Sequence, residues 1–234
     1  MSGTVGGTAG GAVGGTAGGA VDGTVAEVFR RRAEPGAALA DAAGAIAAAS
    51  HAMAGRFHRG GRLLAFGSGA AAADAQHVAV EFVQPVIAGR RALPAMPLTG
   101  NAATLTGLCA GPGPDDVFAH QIRCFGGPDD IAFGISPDGR CGGVLHGLRT
   151  ARDRGMLTVA LAGGDGGALT GALTGALAGA LAGAVAGAVD HLVAVPSTDP
   201  RIVKEVHVTA YHLLWDLVHV FLEQPDVPGR EVVA

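Results

Sequence analysis

His77 and Glu81 stand four residues apart, so on a helix they share a face. A carboxylate and an imidazole so placed can hold a metal ion, or act as a base with its orienting partner. The plainer use of such a pair is an exposed contact between neighbouring helical turns. Near the C-terminus Glu205, His212 and His219 recur at intervals of seven along one stripe. The segment around them is largely apolar (Val206, Val208, Leu213, Leu214, Trp215). A buried imidazole there needs partners for its ring nitrogens, so a ligand and a satisfied core histidine are both open readings. Two glycine-bearing turns suggest a second chemistry. Gly67-Ser68-Gly69 runs into a helix, where backbone N–H groups suit an anion. It is not a dinucleotide fingerprint, since Ala72 stands where the further glycine is needed. In Ser136-Pro137-Asp138-Gly139-Arg140-Cys141-Gly142, the Ser136 hydroxyl and the Arg140 guanidinium suit a phosphate. Pro-Asp-Gly is equally the composition of an ordinary turn.

Positioning these residues requires alternating elements. Apolar runs predict strands over 62–66 (RLLAF), 92–98, 130–135 (DIAFGI), 157–162 (LTVALA) and 191–196 (HLVAVP). Helical spacing predicts helices over 72–83, 102–109, 118–125, 142–154 and 201–223, preceded by an Ala-rich helical segment over 25–60. Such alternation implies an α/β fold, with a parallel sheet covered on both faces and ligands bound beyond the carboxyl ends of the strands. The Ser68 and Ser136 turns both follow strands.

Composition narrows the class. The net charge of −4 over 234 residues gives no electrostatic reason to expect nucleic acid or a membrane surface as partner. Cys109, Cys124 and Cys141 are odd in number and form no C-x-x-C, which points to a reducing compartment, and the N-terminus shows no basic segment leading an apolar one. A cytoplasmic protein is expected. Residues 1–24 cycle Gly, Ala, Thr and Val and are expected to form a disordered tail, and 226–234 are expected as a second tail beyond a domain at 61–225. Residues 166–189 repeat GALT, GALA and GAVA with period four. That stretch also fits a transmembrane helix with a G-x-x-x-G face. Buried strands on either side of it argue for a connecting repeat inside one sheet.

Taken in order, these pieces resemble a known family. The Gly-rich turn is followed by Asp74-Ala75-Gln76-His77-Val78-Ala79-Val80-Glu81, then Gly134-Ile135-Ser136-x-x-Gly139, then Arg201-Ile202-x-x-Glu205-Val206-His207 and His212. Leu98-Thr99-Gly100-Asn101 and 116–123 (DVFAHQIR) add to the match, which spans about 61–223 with the repeat as an insertion. The order resembles the sugar isomerase (SIS) domain proteins of the phosphoheptose isomerase type, and their relative that associates with the bacterial replication initiator. The resemblance implies a three-layer, flavodoxin-like fold with a five-stranded parallel sheet, and a homotetramer whose neighbouring subunits complete the sites. It implies an aldose–ketose isomerisation of sedoheptulose 7-phosphate or a related sugar phosphate through an enediol(ate). Glu81 would move a proton between adjacent carbons, and His212 would handle protons on the oxygens. Ser68, Gly69, Asn101, Ser136, Asp138 and Arg140 would bind substrate. A zinc ion would be held by His77, Glu81 and His212, with Glu205 as fourth ligand because Lys204 occupies the family's glutamine position.

Other departures concern the phosphate. Ala71 stands for a serine, Ser68 for an asparagine and Gly100 for an acidic residue, and the family's Ser-Thr-Ser-Gly-Asn-Ser has become residues 136–141 (SPDGRC). They motivate a second expectation, a non-catalytic SIS domain that binds a sugar phosphate or serves assembly.

Overall fold

The computed structural model describes residues 15–167, 169 and 189–224, with side chains from residue 23 onward. Two compact units divide at Glu34 and Pro35. Helix α1 (Gly15–Ala38) carries that division, and α2 (Ala43–His58) follows. The single helical segment expected over 25–60 is therefore two helices, and residues 15–24, expected as tail, are helical. Propagation from a formed helix is far easier than nucleation, which lets α1 extend back through small residues. Its end is weakened by Pro35 and Gly36, and residues 39–42 turn through i→i+3 bonds such as Ala42 N–H to the Leu39 carbonyl. Residues 1–14 of the first expected tail, and all of the second, lie outside the described residues.

The second unit alternates strand and helix: β1 (Leu63–Gly67), α3 (Ala70–Val83), β2 (Ala95–Pro97), α4 (Ala102–Ala110), α5 (Val117–Phe125), β3 (Ile131–Ser136), α6 (Gly142–Asp153), β4 (Leu157–Gly163), β5 (His191–Val195) and α7 (Pro200–Glu223). The strands form one five-stranded sheet in the order β2-β1-β3-β4-β5, and every pairing is parallel. β1, β3 and β4 are buried along their whole length, as strands covered on both faces must be, so they read as unbroken apolar runs. Alternate residues feed two cores. Leu63, Ala65, Phe133, Val159 and Val193 pack with α2, α3 and α7, whereas Leu64, Phe66, Ala132 and Ala160 pack with α5 and α6. Three layers result.

β4 and β5 pair directly in parallel, from Val159 with His191 to Gly163 with Val195, which a single membrane crossing between them would forbid. Apart from 166, 167, 169 and 189, the repeat itself lies outside the described residues. Among the described residues no single helix is long and apolar enough to cross a membrane.

Strand order reverses between β1 and β3, both leading from the sheet centre. In sheets of this order the switch point opens a crevice at the carboxyl ends of those two strands. The Ser68 and Ser136 turns lie there.

Candidate active site

α3 buries Ala71, Ala75, Val78 and Phe82 against the sheet, which turns His77 and Glu81 toward α7. α7 starts at a cap in which the Asp199 side chain accepts from the Arg201 N–H, with Pro200 in the first turn. Its buried stripe of Val206, Ala210, Leu214 and Val218 sets His212 and Tyr211 beside α3. The helices are pinned together at the site, because Trp215 Nε1–H donates to the Glu81 carbonyl at 2.9 Å.

His77 Nε2 lies 3.0 Å from Glu81 Oε1, and His212 Nε2 approaches the same oxygen at 4.0 Å. The ligand atoms of His77, Glu81 and His212 all lie within 4.8 Å of one another. Glu81 is 8% exposed, whereas the side chains of His77 and His212 are 41% and 45% exposed, so a buried carboxylate opens to solvent between two imidazoles. Two nitrogens and a carboxylate oxygen on facing helices fit a zinc-type ion held by three protein ligands with a position left open.

Glu205 stands apart from this group. It is exposed, and among the described residues the ligand atoms that lie together are those of His77, Glu81 and His212. Lys204 is also otherwise engaged: its ammonium meets Asp74 Oδ1 at 2.5 Å and donates to the Ala70 carbonyl at 3.3 Å. His219 is buried, its ring nitrogens 2.9 and 3.0 Å from the Trp215 and Arg91 carbonyl oxygens, so the third member of the stripe is a core histidine.

The two turns meet where Cys141 Sγ–H donates to Ser68 Oγ at 3.4 Å. Gly69 caps α3 at φ 61°, in the left-handed region that suits glycine, and Ser68 and Gly69 are exposed. Gly139 has φ 67°, and a Cβ there would lie 2.0 Å from the Gly166 carbonyl oxygen. Ser136 is fully buried and its hydroxyl serves the turn, accepting from Cys141 N–H and donating to Asp138 Oδ1. The same Asp138 oxygen accepts from Arg140 N–H at 2.9 Å. The Asp138 carboxylate thus takes donors that a phosphate would use. Arg140 is exposed, 3.8 Å from Asp165, and both line a crevice of about 750 Å³ beyond β3, β4 and β5, together with Asp138, Gly164 and Thr198. Asn101 caps α4, its side-chain oxygen accepting from Thr104 N–H.

Tyr211 stands beside this group, although no spacing or motif marks it in the sequence. Its hydroxyl lies 2.7 Å from His77 Nδ1. Burial, with the Asp74 and Glu81 carboxylates adding to it, pushes the Tyr211 phenol up from its ordinary value and keeps it protonated. The available signal was chemical: a buried tyrosine hydroxyl needs a partner.

A parallel sheet with its switch point beside two glycine turns, and a His-Glu-His group on the flanking helices, make up an α/β domain of the doubly wound class. The SIS domain family matches residues 34–163, and the chain belongs to that family. Within it, the chain is 40% identical over 182 residues to a phosphoheptose isomerase of Solidesulfovibrio magneticus, covering 78% of this chain and 81% of the relative. The solved phosphoheptose isomerase of Francisella tularensis superposes with a TM-score of 0.73 at 29% identity, covering 86% of this chain and 98% of that one. The phosphoheptose isomerase of Neisseria gonorrhoeae gives 0.71 at 28%, covering 85% and 99%.

Proposed function

We propose that the chain is a sugar-phosphate isomerase that interconverts sedoheptulose 7-phosphate and its aldose isomer. The observation that carries this reading is the gathering of His77, Glu81 and His212 from helices more than a hundred residues apart in sequence. Phosphoheptose isomerase relatives support the substrate class. The intact group favours a working enzyme over a non-catalytic assembly protein.

The chemistry follows from the geometry. The Glu81 carboxylate, largely shielded from water, takes the proton from the carbon beside the carbonyl, and the freed electron pair forms the carbon–carbon double bond of an enediol(ate). His212 delivers a proton to the carbonyl oxygen and removes one from the neighbouring hydroxyl. Glu81 then returns its proton to the adjacent carbon, so no redox partner is needed. His77, Glu81 and His212 would hold a zinc ion, which when bound would stabilise negative charge on the sugar oxygens.

Two further readings belong here. The half-open site, and the exposed apolar residues Val80, Val83, Val86 and Ile87 on α3 and the loop after it, support a homotetramer in which a neighbour completes each site. Cys109, Cys124 and Cys141 are free, which supports a reducing, cytoplasmic setting.

The test is turnover of sedoheptulose 7-phosphate with zinc supplied, comparing wild type with Glu81→Gln. The expected loss is at least a hundredfold in kcat, on the order of a general base's contribution, in a protein that stays folded. A wild type that never interconverts the two sugars would sink the reading.

A further inference from the structure

We propose that Tyr211 is the positioning residue of this site: its hydroxyl holds the His77 ring with Nε2 aimed at Glu81, in either of the two proton arrangements the site requires. The inference rests on reading His77, Glu81 and His212 as the working group.

A neutral imidazole carries one proton and offers one lone pair. In the structure His77 Nδ1 is 2.7 Å from the Tyr211 oxygen and Nε2 is 3.0 Å from Glu81 Oε1. An ionised carboxylate only accepts, so in the metal-free site the proton sits on Nε2 and Nδ1 accepts from the Tyr211 O–H. With a cation between the three ligands, the Nε2 lone pair must face it. The ring proton then sits on Nδ1, and Tyr211 must accept. A hydroxyl serves both arrangements. A carbonyl or carboxylate in its place would support only the second, and an ammonium only the first. Metal-bound histidines depend on such an outer partner for orientation and ligand strength.

Packing makes the hydroxyl's position firm. Tyr211 is 2% exposed, so solvent has little access to compete for the bond. Its ring meets those of His77 and His212 edge to face, at 78° and 85° with centroids 5.3 and 5.0 Å apart. One aromatic side chain thus braces both histidines and hydrogen-bonds one of them. Tyr211→Phe keeps the brace and removes only the oxygen.

The experiment uses full-length protein labelled with ¹⁵N at histidine, wild type and Tyr211→Phe, titrated with zinc alone and assayed for turnover at saturating zinc. In the metal-free wild type, His77 Nδ1 is expected unprotonated and hydrogen-bonded, and zinc moves the ring proton onto it. The variant is expected to bind zinc roughly 10- to 100-fold more weakly. Its kcat should fall while KM stays within about twofold, and its metal-free His77 Nδ1 signal should move. Equal zinc affinity with unchanged His77 signals overturns the proposal. If the variant does not fold, the wild-type spectra still decide, since Nδ1 protonated without metal contradicts it. A wild type that takes up no zinc ends the metal reading and leaves the metal-free Nδ1 comparison to decide the role of Tyr211. A wild type that binds zinc yet never turns over ends the isomerase reading alone.

Discussion

Asp138 is the residue whose chemistry sits least comfortably in a phosphate-binding loop. Its carboxylate accepts from Ser136 Oγ–H and Arg140 N–H, so a substrate phosphate must compete with a fixed negative charge for the same donors. Asp138→Ser removes that charge and keeps a small polar side chain. It is expected to lower KM for the sugar phosphate roughly fivefold, about 1 kcal/mol, with kcat held; steady-state kinetics check this. The competition was visible in the sequence as an acid beside Ser136, but the burial of Ser136 was not, because a turn's internal hydrogen bonds leave no periodic mark. The four-residue spacing of His77 and Glu81 and the apolar helix around His212 each left a structural use open, and it was the family resemblance that singled the three out together. Glu205 falls on the same stripe but outside the group of three, since a stripe fixes direction around a helix and leaves position along it open. Tyr211 and Trp215 carry no spacing signal in the sequence. They pack, and their polar tips also hold the site.

At the scale of elements, the amino ends of the strands are fastened by two aspartates, Asp130 buried and Asp190 exposed. Asp130, 5% exposed and just before β3, accepts from the backbone N–H groups of Arg62 and Gly127 and from the Arg62 guanidinium, tying β1 to β3. Asp190, just before β5, does the same for β4 through the Thr158 N–H and hydroxyl, and pairs with Arg152. Fastening this edge leaves the carboxyl edge to the functional turns. Burial alone would raise the Asp130 pKa, but the hydrogen bonds from Arg62 and Gly127 outweigh it and hold the carboxyl below its ordinary value. Its stabilisation is therefore complete above the unfolded value of about 3.9 and is lost as pH falls through the lower folded value. Asp130→Ala is expected to cost about 2–3 kcal/mol at neutral pH, a fall in Tm of about 4–12 °C, and to flatten the acid limb of the stability curve. Calorimetry across pH checks both. β1, β3 and β4 were legible because both their faces are covered and the runs are unbroken, whereas β2, half-buried and ending at Pro97, spans only Ala95–Pro97 of the expected 92–98. The break between α1 and α2 was hidden in an Ala-rich stretch of mostly helix-favouring residues, where Pro35 and Gly36 hint at an end.

For the whole molecule, the exposed site and the apolar face beside it belong to one account. Val86, 77% exposed, is the most exposed of the four residues on that face. Val86→Asp places a charge in the proposed interface and is expected to split the proposed homotetramer and reduce turnover with it, read by light scattering alongside the assay. A wild type that is monomeric at assay concentration would contradict that part of the account. The central claim is that Glu81 carries a proton between adjacent sugar carbons, and the most direct test is isomerisation in deuterium oxide followed by NMR of the product. Deuterium at the carbon that gains hydrogen, appearing in step with turnover and collapsing in Glu81→Gln, is the predicted result. Turnover that leaves that carbon free of deuterium, at a rate unchanged by Glu81→Gln, would contradict it.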